Sequence, residues 1–263
     1  MTINHLANVR MNFKILVINL ESSADRLVSM QEQCARLGLT FERVPAVRGS
    51  ELLPEKKAEV YDIEANIRKY DRLLNDGEIG CYMSHVLCWE KVISDDLDFA
   101  LILEDDAILT DDMPKYLDKL AESFREWDYI KLSHGSKQKK DVAAVDIGDS
   151  LMLGLCLKLP STTTGQLVSR DGAKKLLQYA FPIARPIDMD IQYWYEKSLR
   201  CFVARPFPVL NGDFGSEINK VTDRRYVEKN RGRRIWQKLK HEIMLLVNRG
   251  NLPKFPKCFS DKY

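Results

Sequence analysis

Residues 13–47 read FKILVINLESSADRLVSMQEQCARLGLTFERVPAV. The first eight, FKILVINL (Phe13–Leu20), form a short, nearly continuous apolar run rich in branched side chains, the composition of a strand covered on both faces. Ser22 and Ser23 follow as candidate N-caps, Leu27, Met30, Cys34 and Leu37 recur at helical spacing, and Gly38 supplies a stop. FERVPAV (Phe41–Val47) then reads as a second strand. Strand, helix and strand at this separation make a right-handed parallel crossover, the opening unit of an α/β sheet.

Outward from that unit the pattern continues. GEIGCYMSHVLCWEKVI (Gly77–Ile93) is helical, with Ile79, Met83, Val86 and Ile93 on one stripe, and leads into a strand at Phe99–Leu103. Asp111 and Asp112 precede Pro114 and read as the cap of a helix ending near Trp127. YIKL (Tyr129–Leu132), LMLGLCLKL (Leu151–Leu159) and GQLVS (Gly165–Ser169) read as further strands, followed by a short helix from Asp171 to Tyr179. The predicted organisation is an N-terminal extension over residues 1–12, an α/β body over 13–219 and a basic tail over 220–263.

Composition narrows the class. A chain of 263 residues with 45% hydrophobic content can bury a substantial core. Its uninterrupted apolar runs fall far short of the roughly 18 residues of a spanning helix, and its N-terminus lacks the order of a signal peptide, so the expectation is a cytosolic protein. Six cysteines form no C-x-x-C pair and sit mostly in apolar patterns, as reduced buried thiols do. The net charge of +2 conceals an asymmetry: residues 220–263 hold 13 Lys and Arg against four acids, +9, leaving 27 against 34, −7, for the rest. An acidic body with a basic tail points to an anionic surface. No Walker A element or G-x-G-x-x-G run is present, which excludes P-loop kinases and dinucleotide enzymes, and no nucleic-acid partner is expected.

The strand at Phe99–Leu103 runs straight into Glu104, Asp105 and Asp106. Like charges roughly 4 Å apart at an effective dielectric near 20 repel by about 4 kcal/mol, so a positive partner is expected. In an open α/β sheet ligands gather at the carboxyl ends of the strands, where alternating carboxylates at 104 and 106 can converge on a hard cation, Mg2+ or Mn2+. The competing reading is a solvated turn whose acids cap the next segment.

FKILVINLESSADR, FERVPAVRGSEL, GEIGCYMSHVLCWEKV, ALILEDDAIL and TTTGQLVSRDGAKKLL occur in the order and at about the separations of glycosyltransferase family 25, the lipooligosaccharide-type galactosyltransferases of bacteria. The chain resembles that family over roughly Phe13–Ile218. The resemblance implies a GT-A-like, Rossmann-type mixed sheet flanked by helices. It also implies a UDP-hexose donor (UDP-galactose first), Mn2+ or Mg2+ at a D-x-D-like element formed by Glu104 and Asp106, and inversion to a β linkage on a lipid-linked saccharide acceptor. An inverting transfer needs a carboxylate base, and RPIDMDIQYW offers Asp188, the first choice, and Asp190, at a helix start where plain N-capping competes. On the donor side Asn19 and Arg26 resemble the family's INL…S..R element, with Arg26 directed at phosphate or uracil. Asp105 stands beside them, Ser84 and His85 lie in YMSH, and Thr164 and Gly165 would let backbone approach the sugar. Gln166 replaces an aromatic or small residue of the family pattern. NGDFGSEI (Asn211–Ile218) would close the site, Asp213 reaching metal and Ser216 the diphosphate.

Two other classes compete: a metal-dependent phosphohydrolase, disfavoured by only four histidines, and a non-catalytic membrane-associated nucleotide-binding module. In the tail, Ile235, Trp236, Leu239, Ile243, Leu246 and Val247 share one side of a helical wheel flanked by Arg233, Arg234, Lys238, Lys240 and His241. That is the pattern of an interfacial helix, although a helix packing its apolar side on the body needs the same stripe. The excess charge favours a protein peripheral on the inner face of the cytoplasmic membrane.

Overall fold

The computed structural model describes residues 11–136, 139–212 and 231–260. β1 (Phe13–Asn19), α1 (Ala24–Arg36) and β2 (Glu42–Pro45) make the predicted crossover, and β1 pairs in parallel with β2 and with β3 (Phe99–Glu104). Between β2 and β3 lie α2 (Pro54–Val60), α3 (Ile63–Lys69) and α4 (Asp76–Ser94). After β3 come β4 (Ala107–Leu109), α5 (Met113–Ala121), β5 (Tyr129–Lys131), β6 (Ala143–Gly148), β7 (Leu151–Leu155) and β8 (Gly165–Ser169). The rest is α6 (Arg170–Gln178), α7 (Ile187–Gln192), β9 (Cys201–Arg205), β10 (Val209–Asn211), α8 (Arg231–Val247) and α9 (Lys257–Ser260).

Eight strands form one mixed sheet in the order β2-β1-β3-β8-β5-β9-β7-β6, and β4 and β10 form a separate antiparallel ribbon. This is the mixed α/β sheet flanked by helices that the resemblance implied. β8 runs antiparallel to both β3 and β5, with Leu103 opposite Gly165 and Lys131 opposite Gln166. Its start therefore sits between the carboxyl ends of two strands. The period of two divides each strand between two cores. Leu16, Ile18, Ala100 and Ile102 face Trp89 of α4, while Ile15, Val17, Leu101 and Leu103 face Met30 of α1, Tyr116 of α5 and Trp127.

α4 organises one side of the molecule. It opens on a capping box in which the Asn75 side chain accepts from Glu78 N and Glu78 accepts from Asn75 N. Gly80 meets Gly49 where the loop after β2 crosses the helix: a Cβ on Gly80 would lie 2.4 Å from the Val47 carbonyl, so only glycine fits. One turn on, Ser84 Oγ accepts from Val47 N at 2.8 Å and fastens the same loop.

Several boundaries differ from expectation. α5 stops at Ala121 rather than near Trp127, and Asp112 at its start makes no capping bond but pairs with Lys115. The strand expected to reach Leu159 ends at Leu155. The segment expected as a tail also packs in part on the body. α8 docks on the body through buried His241 and Leu245 and the Lys158–Glu242 ion pair, and the chain then returns to the core, with Phe259 buried and Phe255 5.8 Å from Phe202. The apolar side of α8 faces solvent: Ile235, Trp236, Leu239, Ile243, Leu246 and Val247 are 50–71% exposed. Among the described residues no helix is long and apolar enough to cross a membrane. None of the six cysteines is in a disulfide.

Candidate active site

Glu104 closes β3, and Asp105 and Asp106 form the turn beyond it. Asp105 meets the end of β1 and the start of α1: Asn19 Nδ2 donates to it at 2.8 Å and Arg26 pairs with it at 3.2 Å. Glu104 accepts from the Thr163 hydroxyl at 2.6 Å, and burial raises its pKa. Asp106 Oδ1 is buried without a hydrogen-bond partner; burial first, then the charges of Glu104 and Asp105, push its pKa to about 7. An orphaned carboxylate oxygen beside a second carboxylate suits an oxygen-seeking cation. Together with Asp105, both acids line a cavity of about 270 Å3 that Arg26, Arg48, Ser50, Cys81 and His85 also line.

The run Thr162-Thr163-Thr164 binds this end of the sheet together. Thr162 holds a left-handed φ of 76°, a costly conformation for a β-branched residue. Its hydroxyl lies 2.7 Å from that of Thr164, whose carbonyl accepts from Glu104 N. The backbone of Thr162 and of Met189 faces the Asp188 carboxylate. Asp188 is half-buried at the start of α7, and burial raises its pKa, opposed by the charge of Lys131. Lys131, 2% exposed, stands on β5 within electrostatic reach of Asp188 and Glu104; burial lowers its pKa to about 8 and the two acids hold it from falling further. Sequence reading passed over Lys131, Thr162 and Thr163. The available signal was a lone lysine in the otherwise apolar YIKL.

Asp190 is not placed to take a proton. Its Oδ2 accepts from the Tyr82 hydroxyl and pairs with Lys197, both at 2.9 Å, and Arg185 lies 3.2 Å from Oδ1. Burial would raise its pKa, but Lys197 and Arg185 outweigh burial and lower it. Asp190 thus locks α7 to α4 and to the segments just before and after α7. Gly165 also differs from expectation: a Cβ there would lie 2.7 Å from Val209 Cγ2, so packing against β10 demands the glycine. Ser84 lines the cavity wall, but its hydroxyl is spent on Val47 N and the Gly80 carbonyl. His85 is fully buried; Nδ1 lies 3.0 Å from the Cys81 carbonyl, Nε2 has no partner, and burial lowers its pKa to about 4, leaving a neutral ring. Gln166 is likewise buried with both amide atoms unpartnered. Asp213 and Ser216 lie outside the described residues.

Comparison with known proteins gives a consistent result. A family model described as "Glycosyltransferase family 25 (LPS biosynthesis protein)" matches residues 12–191. A "Glycosyltransferase 25 family member" of Aedes aegypti is 30% identical over 185 residues, covering 67% of this chain and 29% of its own length. "Procollagen galactosyltransferase 2" of Homo sapiens is 28% identical, over 80% of this chain and 37% of its own. "Lipooligosaccharide biosynthesis protein lic2B" of Haemophilus influenzae is 29% identical, over 43% and 41%. The chain thus spans less than half the length of each of these relatives. Among solved structures, a glycosyltransferase involved in glycosylation of the major capsid of PBCV-1 superposes with a TM-score of 0.41 at 14% identity, covering 80% of this chain and 100% of that one.

Proposed function

We propose, from the premise that the chain belongs to glycosyltransferase family 25, that it moves a hexose from a nucleotide-diphosphate sugar onto a hydroxyl of a saccharide acceptor. The donor we propose is UDP-galactose, the acceptor a lipooligosaccharide, and the outcome inversion at C1 to a β linkage; the galactosyltransferase and lipooligosaccharide names among its relatives support this choice. The observation that carries the reading is Asp106, a half-buried carboxylate whose Oδ1 is buried without a partner, next to Glu104 on a cavity that two arginines also line.

Glu104 and Asp106 are the residues that would hold Mn2+ or Mg2+, whose charge, when bound, offsets the negative charge that grows on a departing diphosphate. Arg26 and Arg48 face the phosphates from the cavity wall, and the Asp105 contact orients Arg26. Asp188 acts as the base. It takes the proton of the acceptor hydroxyl as that oxygen forms its bond to C1, and the C1–O bond to the diphosphate breaks with its electron pair leaving on the phosphate oxygen. Burial raises the pKa of Asp188, which strengthens it as a base, and the charge of Lys131 opposes that rise.

For location we propose the inner face of the cytoplasmic membrane. Support comes from the exposed apolar side of α8, bordered by Arg234, Lys238 and Lys240. The test of function supplies labelled UDP-galactose, UDP-glucose or UDP-N-acetylglucosamine with manganese, in the presence or absence of a lipooligosaccharide acceptor. Label should reach acceptor from UDP-galactose and stay in the nucleotide sugar when acceptor is omitted. Acceptor-independent hydrolysis would point to a phosphohydrolase, and binding without consumption to a nucleotide-binding module.

A further inference from the structure

α4 carries Cys81 and His85 one turn apart on the same face, and the end of β3 brings Glu104 against them. Cys81 Sγ lies 4.0 Å from Glu104 Oε1, and His85 Nε2 lies 3.7 Å from the same oxygen. The ligand atoms of the three residues fall within 4.8 Å of one another. With metal–sulfur bonds of about 2.3 Å and metal–nitrogen or –oxygen bonds of about 2.0–2.2 Å, tetrahedral ligand atoms sit roughly 3.3–3.7 Å apart. Cys81 Sγ also lies 4.0 Å from His85 Nδ1, and bringing the whole trio to that spacing takes side-chain shifts of up to about 1 Å.

The second observation is the histidine ring. Nδ1 is in position to donate its proton to the Cys81 carbonyl, which leaves Nε2 as a lone pair, fully buried and without a partner, facing a carboxylate oxygen. A carbonyl bond at Nδ1 fixing Nε2 toward the centre is the arrangement that orients histidine ligands in metal sites. Cys81 is half-buried and lines the cavity of about 270 Å3, which gives an ion a way in.

We propose that Cys81, His85 and Glu104 form a binding site for a thiophilic divalent cation of the Zn2+ or Co2+ kind. Sulfur and imidazole select such ions, whereas the oxygen pair of Glu104 and Asp106 suits Mg2+ or Mn2+. On binding, the Cys81 thiol releases its proton to solvent and the sulfur forms the bond to the metal. Glu104 serves both sites, so the two ions exclude each other, a consequence that alone rests on the donor-site reading above.

Titration of the full-length, reduced protein with Co2+ tests the site through the thiolate-to-cobalt charge-transfer band in the near ultraviolet. The wild type, Cys258→Ser and Asp106→Asn should all develop the band, and Zn2+ should abolish it by displacement and raise the melting temperature. Cys81→Ser should lose the band and bind Zn2+ at least about a hundredfold more weakly, beyond the 10–100-fold that loss of an outer-shell partner costs. No band in the wild type, a band that survives Cys81→Ser, or a band lost in Asp106→Asn would each overturn the proposal. The last outcome would put cobalt at Asp106, whereas loss of manganese-dependent UDP binding in Asp106→Asn concerns the donor reading and leaves the cobalt band unchanged.

Discussion

Replacing Asp106 with asparagine separates the cost of its buried charge from the use of that charge. The carboxyl titrates near 7 in the folded protein against 3.8 for an unperturbed aspartate. The folded state therefore binds more protons than the unfolded state between these values, and stability falls as pH rises through them. At 1.36 kcal/mol per pH unit the ionised side chain disfavours the fold by about 4 kcal/mol above pH 7, and by less than half of that near pH 5. Asparagine keeps the size and carries no charge, so the variant should gain on the wild type by roughly 2–3 kcal/mol between pH 5 and pH 8. For a chain of this length that corresponds to a relative rise in melting temperature of about 5–10 °C, read by scanning calorimetry in chelator. Manganese should stabilise the wild type and leave the variant unmoved. A variant whose advantage is the same at pH 5 and pH 8, or which melts below the wild type at pH 8, would refute the claim that Asp106 is held ionised against its surroundings.

Asp188→Asn should lower turnover by about 10²–10⁴-fold while UDP affinity stays within twofold in the presence of manganese, because the base acts on acceptor alone; a collapse in UDP affinity would place Asp188 in the donor site. Lys131→Met removes the charge that lowers the Asp188 pKa, so the acidic limb of the kcat–pH profile should move to higher pH; an unchanged limb would separate Lys131 from the base. Gly165→Ala should destabilise by about 1–3 kcal/mol through the clash with Val209, and Val209→Ala should recover most of that loss in denaturant titration if packing is the cause. Trp236→Glu with Leu239→Glu should abolish sedimentation with anionic vesicles and leave the melting temperature nearly unchanged, since both side chains are exposed; a large drop in melting temperature would mean the face packs on the body.

The α/β sheet was legible because its strands are covered on both faces and read as continuous apolar runs: FKILVIN, FALIL and GQLVS fall where the sequence puts them. GEIGCYMSH was legible as a unit, but its internal logic needed the third dimension. Glu78 caps the helix, Gly80 admits the crossing loop, Tyr82 holds Asp190 and Ser84 fastens Val47, each through a partner remote in sequence except the cap. Asp188 and Asp190 look alike on paper; Arg185, Lys197 and Tyr82 separate them, and the chain brings those groups together only on folding. Lys131 escaped notice because a strand of three residues shows too little alternation to mark one side chain as inward. At the C-terminus the apolar stripe fits a core-facing or a solvent-facing helix equally well. The basic composition gave no hint that His241, Leu245 and Phe259 anchor the segment to the body.

Calorimetric titration of UDP into the wild type and Asp106→Asn, with manganese and with chelator, tests the central claim most directly. The account predicts that the wild type binds UDP in manganese and loses at least about tenfold in affinity, 1.4 kcal/mol, on chelation, while Asp106→Asn binds equally weakly in both conditions. Equal wild-type affinity with manganese and with chelator would contradict it.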